Sequence, residues 1–525
     1  MKDFYSFIHT KFFFNCILIS SIILGIFLRL LPHIFMGFSS NLPLNNGGLY
    51  LFFSEIIVQN NFSYPTYIPF YTETGIPFAY PPLIFYVLAL INTLFPVPLL
   101  TLVIYIPTII SIVCIFAFYF LVKELFSEKS LILISTLIFA LYLPLISYSA
   151  QGLFLVHGVG SLFFIIGLIL VLRWMKFKND TFIFFIGILF GLLIVSSPRC
   201  AFAYALVLFT VAFLNPRKKT LFNLAFIVII ATLISSPWWF TVIRNHGIDI
   251  LLNGFMVRQP TAVFNIFINI YLTNFYNYQL SLILICLLGL FYYLAKKEFF
   301  LPVLFFLLVI SGGYGVVIIP LILVIILFSV GLMKVIFPAL KFTLNADTPE
   351  KTLLPLFFTI LLVVLILGGS YIQNRDFFES RYSSLKDDEK GHFEAMYWIQ
   401  QNTENNSAFI VKDVIASEQK NQFWIGDWFP AITHRKTLNI FYGNEWSNKP
   451  QLWLADLELS NCKDTFCFEN VSNNYNFRYT HVYIIKNPEN GYVISSFANS
   501  GDYRLIFENS KGMIFGKIIS PFSQE

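Results

Sequence analysis

Long apolar runs separated by short polar breaks recur along the chain up to residue 372. A helix needs about 20 apolar residues to cross the hydrocarbon core of a bilayer, and most of these runs approach or exceed that length. The pattern therefore predicts an all-α polytopic membrane domain of about 11–13 helices over residues 1–372. The candidate spans are residues 13–36, 82–95, 99–122, 130–147, 156–174, 182–196, 200–214, 220–236, 279–295, 299–311, 315–333 and 353–372.

The pattern changes after residue 372, where shorter segments with other periods replace the long runs. EKGHFEAMYWIQQNT carries apolar residues at helical spacing, and AFIVKD and THVYIIK have the composition of strands. YRLIFEN and GMIFGKI, joined at Ser510-Lys511-Gly512, are typical of a hairpin. Residues 373–525 are therefore predicted to form a small soluble α/β domain, called the tail below.

Composition agrees with a membrane protein. Hydrophobic residues make up 57% of the chain and charged residues 12%, whereas soluble domains carry about 25% charged residues. The formal net charge of +5 comes from basic residues in short loops, which gives no indication of a nucleic-acid partner. By the positive-inside rule these loops and the N-terminus are predicted to be cytoplasmic. The five loops are 123–129, 173–178, 215–219, 295–298 and 334–341.

The order of the runs predicts one segment that does not cross. Three runs lie between the N-terminus and loop 123–129, but an even number is needed if both are cytoplasmic. The segment 82–98 is short and bounded by prolines, so it is predicted to dip into the membrane from outside. No small-residue cleavage site follows 13–36, which is therefore expected to be a span and not a signal peptide.

With that topology, several non-basic segments fall on the outer side. Irregular backbone at membrane depth is tolerated where protein buries it or where it lines a cavity. We therefore expect a cavity open to the extracytoplasmic side of a multi-pass plasma-membrane protein. The outer segments are 37–81, 148–157, 197–199, 236–278, 312–314 and the tail.

The first outer loop, 37–81, contains NLPLNNGGLY and then an amphipathic stretch that fits a helix lying along the interface. Its only charged side chains are Glu55 and Glu73. Asn45 and Asn46 fit a helix N-cap, because the asparagine side chain accepts from the first free amides of a helix. A place in a functional site is the alternative for these asparagines.

The second long outer loop, 236–278, opens with Pro-Trp-Trp and contains Arg244, His246 and Arg258. Arginine matches phosphate geometry bidentately, and tryptophan suits the membrane interface. Together with Arg199, at the outer break 197–199, these residues are candidates for holding the phosphate of a lipid. The alternative is an interfacial loop with arginines that reach to the membrane surface.

Cysteine, histidine and acidic residues form no cluster with metal-ligand spacing, so a zinc site is not expected. No cofactor is predicted, and the sequence carries no signal for or against a divalent cation. Cys462 and Cys467 are the only closely spaced cysteines. They are predicted to form a disulfide if the tail is extracytoplasmic, although the spacing also fits two free thiols.

The order of these parts resembles the GT-C superfamily of polytopic glycosyltransferases, which includes the protein O-mannosyltransferases and aminoarabinose transferases. The first span 13–36 is followed by NNGGLYLFFSEII and the proline-rich re-entry IPFAYPPLIFY. The resemblance is closest to a group of uncharacterised bacterial members, which have elements similar to AYPPL, PWWFTVIRNHG and AMYWIQQNT. It extends over nearly the whole chain.

The resemblance implies transfer of a hexose or pentose from a polyprenyl-phosphate donor to an acceptor on the outer face. The acceptor is a glycan, lipid or protein, and the surrounding membrane lipids are the other expected partners. In such enzymes an acidic residue of the first loop deprotonates the acceptor, and basic residues hold the lipid phosphate. This chemistry needs a general base near the attacking hydroxyl and cations near the departing charge.

The sequence departs from this pattern where related sequences have Asn-Asp-Gly-Gly, because Asn46 replaces the aspartate. An amide does not act as a base near neutral pH. Tyr80 replaces the lysine that precedes the paired prolines in aminoarabinose transferases, and Ser-Pro-Arg at 197–199 stands where His-Pro-Glu is more usual.

Three interpretations follow from this departure. In the first, Glu73, or second Glu55, serves as the base, and Asn46 orients the acceptor. In the second, the chain binds lipid-linked sugar without transferring it. In the third, it is a lipid transporter or flippase, although a pure transporter has no evident need for a folded tail.

Overall fold

The computed structural model describes residues 11–36, 47–149, 154–256, 280–310, 318–344, 353–412, 425–438, 446 and 453–518. Asn45, Asn46, Arg258 and the break at 312–314 lie outside the described residues.

Residues 11–402 are predominantly helical where they are described, as the apolar pattern predicts. A segment that crosses a bilayer must satisfy each backbone N–H and C=O internally, and a helix does so within one segment. The elements are α1 (Lys11–Met36), α2 (Gly47–Gln59), β1 (Tyr67–Ile68), β2 (Ile76–Pro77), α3 (Leu83–Leu94), α4 (Leu99–Leu125), α5 (Lys129–Leu141), α6 (Leu143–Ser149), α7 (Phe154–Phe177), α8 (Thr181–Ser196), α9 (Pro198–Leu214), α10 (Lys218–His246), α11 (Ile248–Met256), α12 (Leu280–Ala295), α13 (Phe300–Ile310), α14 (Ile318–Val330), which continues through a π-helical segment (Gly331–Ile336) into α15 (Phe337–Thr343), and α16 (Leu353–Asn402).

Among the described helices, five stretches are long and apolar enough to cross a membrane: Phe14–Leu31, Leu99–Leu125, Phe154–Phe177, Lys218–His246 and Ile318–Thr343. Shorter apolar helices pack around them. Helix α3 has 12 residues, or about 18 Å, which is less than the hydrocarbon thickness. Its apolar side chains and the first turns of α4 belong to one hydrophobic cluster with α2. The prediction that residues 82–98 dip into the membrane without crossing stays a prediction.

Two predicted helix boundaries are wrong. Helix α10 does not end at residue 236 but continues through Pro237 to His246, so the outer loop begins later than predicted. The run 130–147 is interrupted at Tyr142, between α5 and α6. Helix α16 has 50 residues and continues through residue 372, where the domain boundary is predicted, and that boundary stays a prediction.

Arg29 of α1 is a buried arginine within a membrane-spanning helix, with 1% of its surface exposed. Its guanidinium donates to Ser111 Oγ of α4 at 2.7 Å and to the carbonyls of Ala140 and Phe139 at 2.6 and 3.4 Å. Those two carbonyls belong to the last turn of α5, where no further helical N–H is available to them. Arg29 therefore joins three helices and satisfies the end of α5.

The five basic loops meet at one end of the helical bundle. Arg173 pairs with Glu124, Lys334 with Glu128, and Lys219 with Asp180. The remaining loop joins them through a cavity lined by residues from 125, 214–215 and 297–301. The first loop, the end of α10 and the tail lie together elsewhere, in a separate hydrophobic cluster.

The tail consists of a five-stranded sheet with helices, and its predicted strands are present. Strand order is β4-β3-β5-β7-β6, with β3 parallel to β4 and β5, and the other pairs antiparallel. The predicted hairpin joins β6 and β7. Cys462 and Cys467 are bonded as a disulfide. The elements are β3 (Ala408–Lys412), α17 (Ile425–Thr433), β4 (Lys436–Thr437), α18 (Trp453–Asn461), α19 (Thr465–Asn474), β5 (His481–Ile485), α20 (Gly491–Asn499), β6 (Tyr503–Glu508) and β7 (Gly512–Lys517).

Both faces of this sheet are buried. Alternate residues of a strand point to opposite faces, so β3 contributes side chains to two hydrophobic clusters. Ala408 and Ile410 pack with the tail's own helices α18, α19 and α20. Phe409 and Val411 belong to the cluster that contains α2, α3 and α17. The tail sheet thus packs on the membrane domain through one of its faces.

Candidate functional site

Helix α2 begins at Gly47, directly after the two asparagines, and is enclosed on nearly all sides. A helix is present here as predicted, but it is not half-exposed as an amphipathic helix would be, because tail helix α17 packs against it. At Gly48, a Cβ atom would lie 2.6 Å from Trp428 Cα and 2.7 Å from the Asp427 carbonyl oxygen. Glycine at this position lets the two helix backbones touch, and the tail closes over the start of α2.

The first loop also extends the edge of the tail sheet. The N–H of Thr72 donates to the carbonyl of Thr437, and the N–H of Thr437 donates to the carbonyl of Phe70, both at 3.0 Å. The buried Tyr71 hydroxyl donates to the Asp427 carbonyl at 2.9 Å. Burial, with the charges of Asp427 and Glu55 as further causes, raises the pKa of Tyr71. Membrane domain and tail are therefore joined by backbone as well as side-chain contacts.

Backbone strain is concentrated at this junction. Phe70, Thr72 and His434 have φ values of 68°, 70° and 52°, in the left-handed region that side chains other than glycine rarely adopt. A β-branched residue such as Thr72 is especially unfavourable there. Such conformations cost about 1–3 kcal/mol each and persist where the surroundings hold them, often at functional sites.

Glu55 lies on α2 and faces His434 of the tail. Glu55 Oε2 is 3.6 Å from His434 Nε2, and both atoms are shielded from solvent without a hydrogen-bond partner among the described residues. The other ring nitrogen, Nδ1, lies 3.5 Å from Gln400 Nε2 of α16. The rings of Phe52 and Phe70 lie beside the imidazole, with centroids 5.9 and 6.1 Å away. Three separate parts of the chain thus meet at one carboxylate.

Glu73, the other predicted base, is held differently. Its Oε1 lies 2.7 Å from Lys436 Nζ, and its side chain is 45% exposed. Both acidic residues of the first loop therefore have a basic neighbour supplied by the tail.

The predicted phosphate ligands occupy two places. Arg199 is the second residue of α9, beside Ser197, whose hydroxyl lies 3.2 Å from His157 Nδ1. Arg244 and His246 are in the last turn of α10, and the His246 ring meets the edge of Tyr67 in the first loop at 5.0 Å. Among the described residues, the ion pairs of Glu55 and Glu73 involve none of these three.

The Pro-Trp-Trp element meets the Ala-Tyr-Pro-Pro element through the tail. Trp238 Nε1 donates to the Ala79 carbonyl at 3.3 Å. Trp446 of the tail has ring centroids 5.5 Å from Tyr80 and 6.4 Å from Trp238. A Cβ atom on Gly254 of α11 would collide with the Trp446 ring. The first loop, the α10–α11 segment and the tail therefore pack against one another, in agreement with the predicted convergence of these segments.

In the part of the chain that the structure describes, no three histidine, cysteine or acidic side chains are grouped closely enough to hold a metal ion.

No protein-family pattern matches the chain, and no curated protein matches it by sequence. Solved structures do. The apo oligosaccharyltransferase of Archaeoglobus fulgidus superposes with a TM-score of 0.60 and 14% identity, over 91% of this chain and 70% of that one. ArnT from Cupriavidus metallidurans, in the apo state, gives a TM-score of 0.56 and 10% identity, over 95% and 97% of the two chains. The chain has the GT-C fold.

A third structure with this GT-C fold is the Archaeoglobus fulgidus oligosaccharyltransferase AglB in complex with an inhibitory peptide and a dolichol-phosphate. It superposes with a TM-score of 0.57 and 14% identity, over 89% of this chain and 69% of that one. Similarity at this level of identity establishes the fold, and it extends across both the membrane helices and the tail.

Within this GT-C fold, sequence reasoning missed the tail's part in the site. His434, Lys436, Trp428 and Trp446 carry no local motif, and each is recognised only from its contacts across the junction. The only local signal in the sequence is IGDWF, where Asp427 and Trp428 stand between apolar residues in an otherwise polar part of the tail.

Proposed function

We propose that the protein is a membrane glycosyltransferase that moves a sugar from a polyprenyl-phosphate donor to an extracytoplasmic acceptor. The observation that carries the proposal is the GT-C fold, shared along 89–95% of the chain with an oligosaccharyltransferase and ArnT. One of those proteins has been seen with dolichol-phosphate, which supports a lipid phosphate as part of the donor.

The proposed orientation follows from the basic loops, which share one end of the bundle. By the positive-inside rule that end and the N-terminus are cytoplasmic. The first loop and the tail then face the extracytoplasmic side of the cell membrane. The disulfide between Cys462 and Cys467 supports this orientation, because disulfides persist in oxidising compartments.

In the proposed reaction a hydroxyl of the acceptor attacks the anomeric carbon of the sugar. The hydroxyl proton passes to a carboxylate of the first loop as the new carbon–oxygen bond forms. The bond from the anomeric carbon to the phosphate oxygen breaks, and its electron pair leaves with the polyprenyl phosphate. Arg199, Arg244, His246 and Arg258 are proposed to stabilise that departing charge.

Glu55 and Glu73 are both candidates for the base. Lys436 occupies one oxygen of Glu73, whereas the 3.6 Å between Glu55 and His434 is too long for a formed hydrogen bond. Glu55 is also in the more enclosed position, where a carboxylate can accept a proton away from bulk water. We therefore propose Glu55 as the first candidate and Glu73 as the second, with Asn46 orienting the acceptor.

The test is sugar transfer by the purified full chain in liposomes, supplied with a panel of polyprenyl-phosphate-linked radioactive sugars and bacterial envelope acceptors. Wild type should transfer one of them, and Glu55→Gln or Glu73→Gln should abolish transfer according to which is the base. The control Glu508→Gln alters an exposed ion pair with Lys486 and should transfer normally.

Two other outcomes would replace the proposal. Transfer by Asn46→Asp but not by wild type would identify a lapsed enzyme that binds lipid-linked sugar. Movement of labelled lipid across the liposome membrane without transfer would identify a transporter or flippase.

A further inference from the structure

The residues around Glu55 have the arrangement of a supported catalytic base. We propose that His434 is the positioning residue for Glu55, so that the tail contributes directly to the active site. This inference rests on the proposed sugar transfer and adds to it a residue from outside the membrane domain.

The first argument is the direction of the imidazole. Gln400 Nε2 lies 3.5 Å from His434 Nδ1, and in the tautomer proposed here Nδ1 accepts from that amide. The ring proton then lies on Nε2, because a neutral imidazole carries a single N–H. Nε2 is the nitrogen that faces Glu55 Oε2. Gln400 and His434 thus present a donor to the carboxylate.

The second argument is the gap between the two groups. At 3.6 Å, Nε2 and Oε2 are slightly beyond hydrogen-bond distance, yet each is shielded from solvent with no other partner among the described residues. A shielded donor and acceptor left unpaired cost about 1–3 kcal/mol. Catalytic hydrogen bonds are often long in the apo state and shorten when substrate binds. A shift of less than 1 Å would form this one.

The third argument is the strained backbone at His434. Its φ of 52° is unfavourable for histidine. The next residue, Arg435, holds the segment in place by donating to the carbonyls of Gln400, at 3.0 Å, and Thr403, at 2.7 Å. The strain is thus sustained by contacts of the tail with α16, and it directs the imidazole between Phe52 and Phe70 towards Glu55.

In the resulting mechanism, His434 donates its Nε2–H to Oε2 of Glu55 and fixes the carboxylate plane. The other oxygen, Oε1, takes the proton of the acceptor hydroxyl. His434 keeps its own proton throughout. It contacts neither the sugar donor nor the sugar acceptor and acts only through Glu55. The tail is needed for transfer because it supplies this hydrogen bond.

The experiment compares two replacements of His434 in the full chain. Asparagine tolerates the left-handed backbone but is too short to reach Glu55, whereas glutamine places an amide N–H near the position of Nε2. Relative to wild type, His434→Asn should lower kcat by about 10–100-fold, as loss of a supporting partner typically does. His434→Gln should retain kcat within about fivefold, and the KM for the donor should change little in both.

A double mutant separates positioning from an independent role. If His434 acts only through Glu55, His434→Asn should cause no further loss in a Glu55→Gln background. His481→Asn, the same change elsewhere in the tail sheet, is the matched control and should leave kcat unchanged. Melting temperatures of all variants show whether each is folded.

Equal losses in His434→Asn and His434→Gln, a raised donor KM, or losses that multiply with Glu55→Gln would each overturn the positioning role. Transfer that is abolished by Glu55→Gln but unaffected by His434→Asn would overturn this inference and leave the proposed function standing. An inactive wild type would overturn both. In that case, non-additive changes in the melting temperatures of Glu55→Gln, His434→Asn and the double mutant would show that the contact serves the fold alone.

Discussion

Lys436 Nζ lies 2.7 Å from Oε1 of Glu73, beside the point where the backbones of Thr72 and Thr437 are hydrogen-bonded. The ion pair therefore joins the tail to the first loop at the edge of the tail sheet. Its two side chains are 34% and 45% exposed, and exposed ion pairs contribute little to stability. The backbone contacts and the buried tyrosine beside them are expected to hold the junction.

We accordingly predict that Glu73→Gln lowers the free energy of unfolding by less than about 1 kcal/mol. Tyr71→Phe should cost more, about 1–1.5 kcal/mol, because it removes the buried hydrogen bond from the Tyr71 hydroxyl to the Asp427 carbonyl. Chemical denaturation of the full chain in detergent measures both. A larger loss in Glu73→Gln than in Tyr71→Phe would contradict this view of the junction. If the prediction holds, any loss of sugar transfer in Glu73→Gln is chemical and not structural.

The contact between α2 and α17 should depend on Gly48. An alanine there would place its Cβ 2.6 Å from Trp428 Cα, a backbone contact that no side-chain rotation relieves. We expect Gly48→Ala to cost about 1–3 kcal/mol, as overpacking does, and to speed proteolysis of the tail. The matched control is Gly368→Ala in α16, where a Cβ meets nothing within 4 Å. That change should be neutral or stabilising, by up to about 1 kcal/mol, because alanine favours helix. Equal melting temperatures for the two variants would show that α2 and α17 are not in close contact.

The helical spans and the tail strands could be predicted from sequence because each depends on a local pattern. Spanning helices require continuous apolar runs, and the inner tail strands are short apolar runs because both of their faces are buried. The end of α10 was predicted too early because Pro237 is typical of a helix end. The helix continues past it because the loss of one backbone hydrogen bond is tolerated where neighbouring segments support the helix. At residue 372 the composition changes but the helix does not end, because a helix can continue from an apolar into a polar sequence.

The site was less accessible to sequence reasoning because its members come from distant parts of the chain. Glu55 was identified as one of two acidic residues in an outer loop, but its neighbour His434 follows it by 379 positions in sequence. The enclosure of α2 was missed for the same reason. Helices α2 and α17 are far apart in sequence, and their hydrophobic faces meet only when the tail packs on the membrane domain. Asn46 and Arg258 remain predictions from sequence.

Arg29 should be among the residues most important for stability of the membrane domain. Arg29→Met keeps the volume but removes the donors to Ser111 and to the final carbonyls of α5. We expect a loss of about 1–3 kcal/mol, because the buried carbonyls at the end of α5 lose their donor. Arg173→Met is the matched control, because that side chain is 45% exposed and pairs with Glu124 at the basic end. It should cost less than about 1 kcal/mol. Thermal unfolding in detergent distinguishes them, and similar losses would show that Arg29 does not hold the three helices together.

The tail should lose stability between pH 7 and pH 5 because of His481. Burial lowers the pKa of His481 to about 4, from an ordinary value of about 6.5. Between these values the unfolded tail binds a proton that the folded tail does not, so the stability of the fold decreases as the pH falls. The melting temperature of the full chain should therefore decrease by several degrees over this interval.

Glu469 does not interfere with that measurement. Burial alone would raise the pKa of Glu469. Hydrogen bonds from Lys517, Tyr503 and Tyr479 lower this pKa by more than burial raises it, so the net shift is downward. A carboxylate with a lowered pKa stabilises the fold above its unfolded pKa of about 4.3 and loses that contribution only as the pH falls below it. From pH 7 to pH 5 the contribution of Glu469 is constant.

His481→Phe tests this assignment, since phenylalanine can keep the stacking on Phe409, whose ring centroid is 4.7 Å from that of the imidazole. The variant should have a flatter melting temperature between pH 7 and pH 5, whatever its stability at pH 7. Glu469→Gln is the comparison and should keep the wild-type slope over the same interval. An unchanged slope in His481→Phe would mean that another group takes up the proton. The same flattening in Glu469→Gln would place that group in the cluster around Lys517.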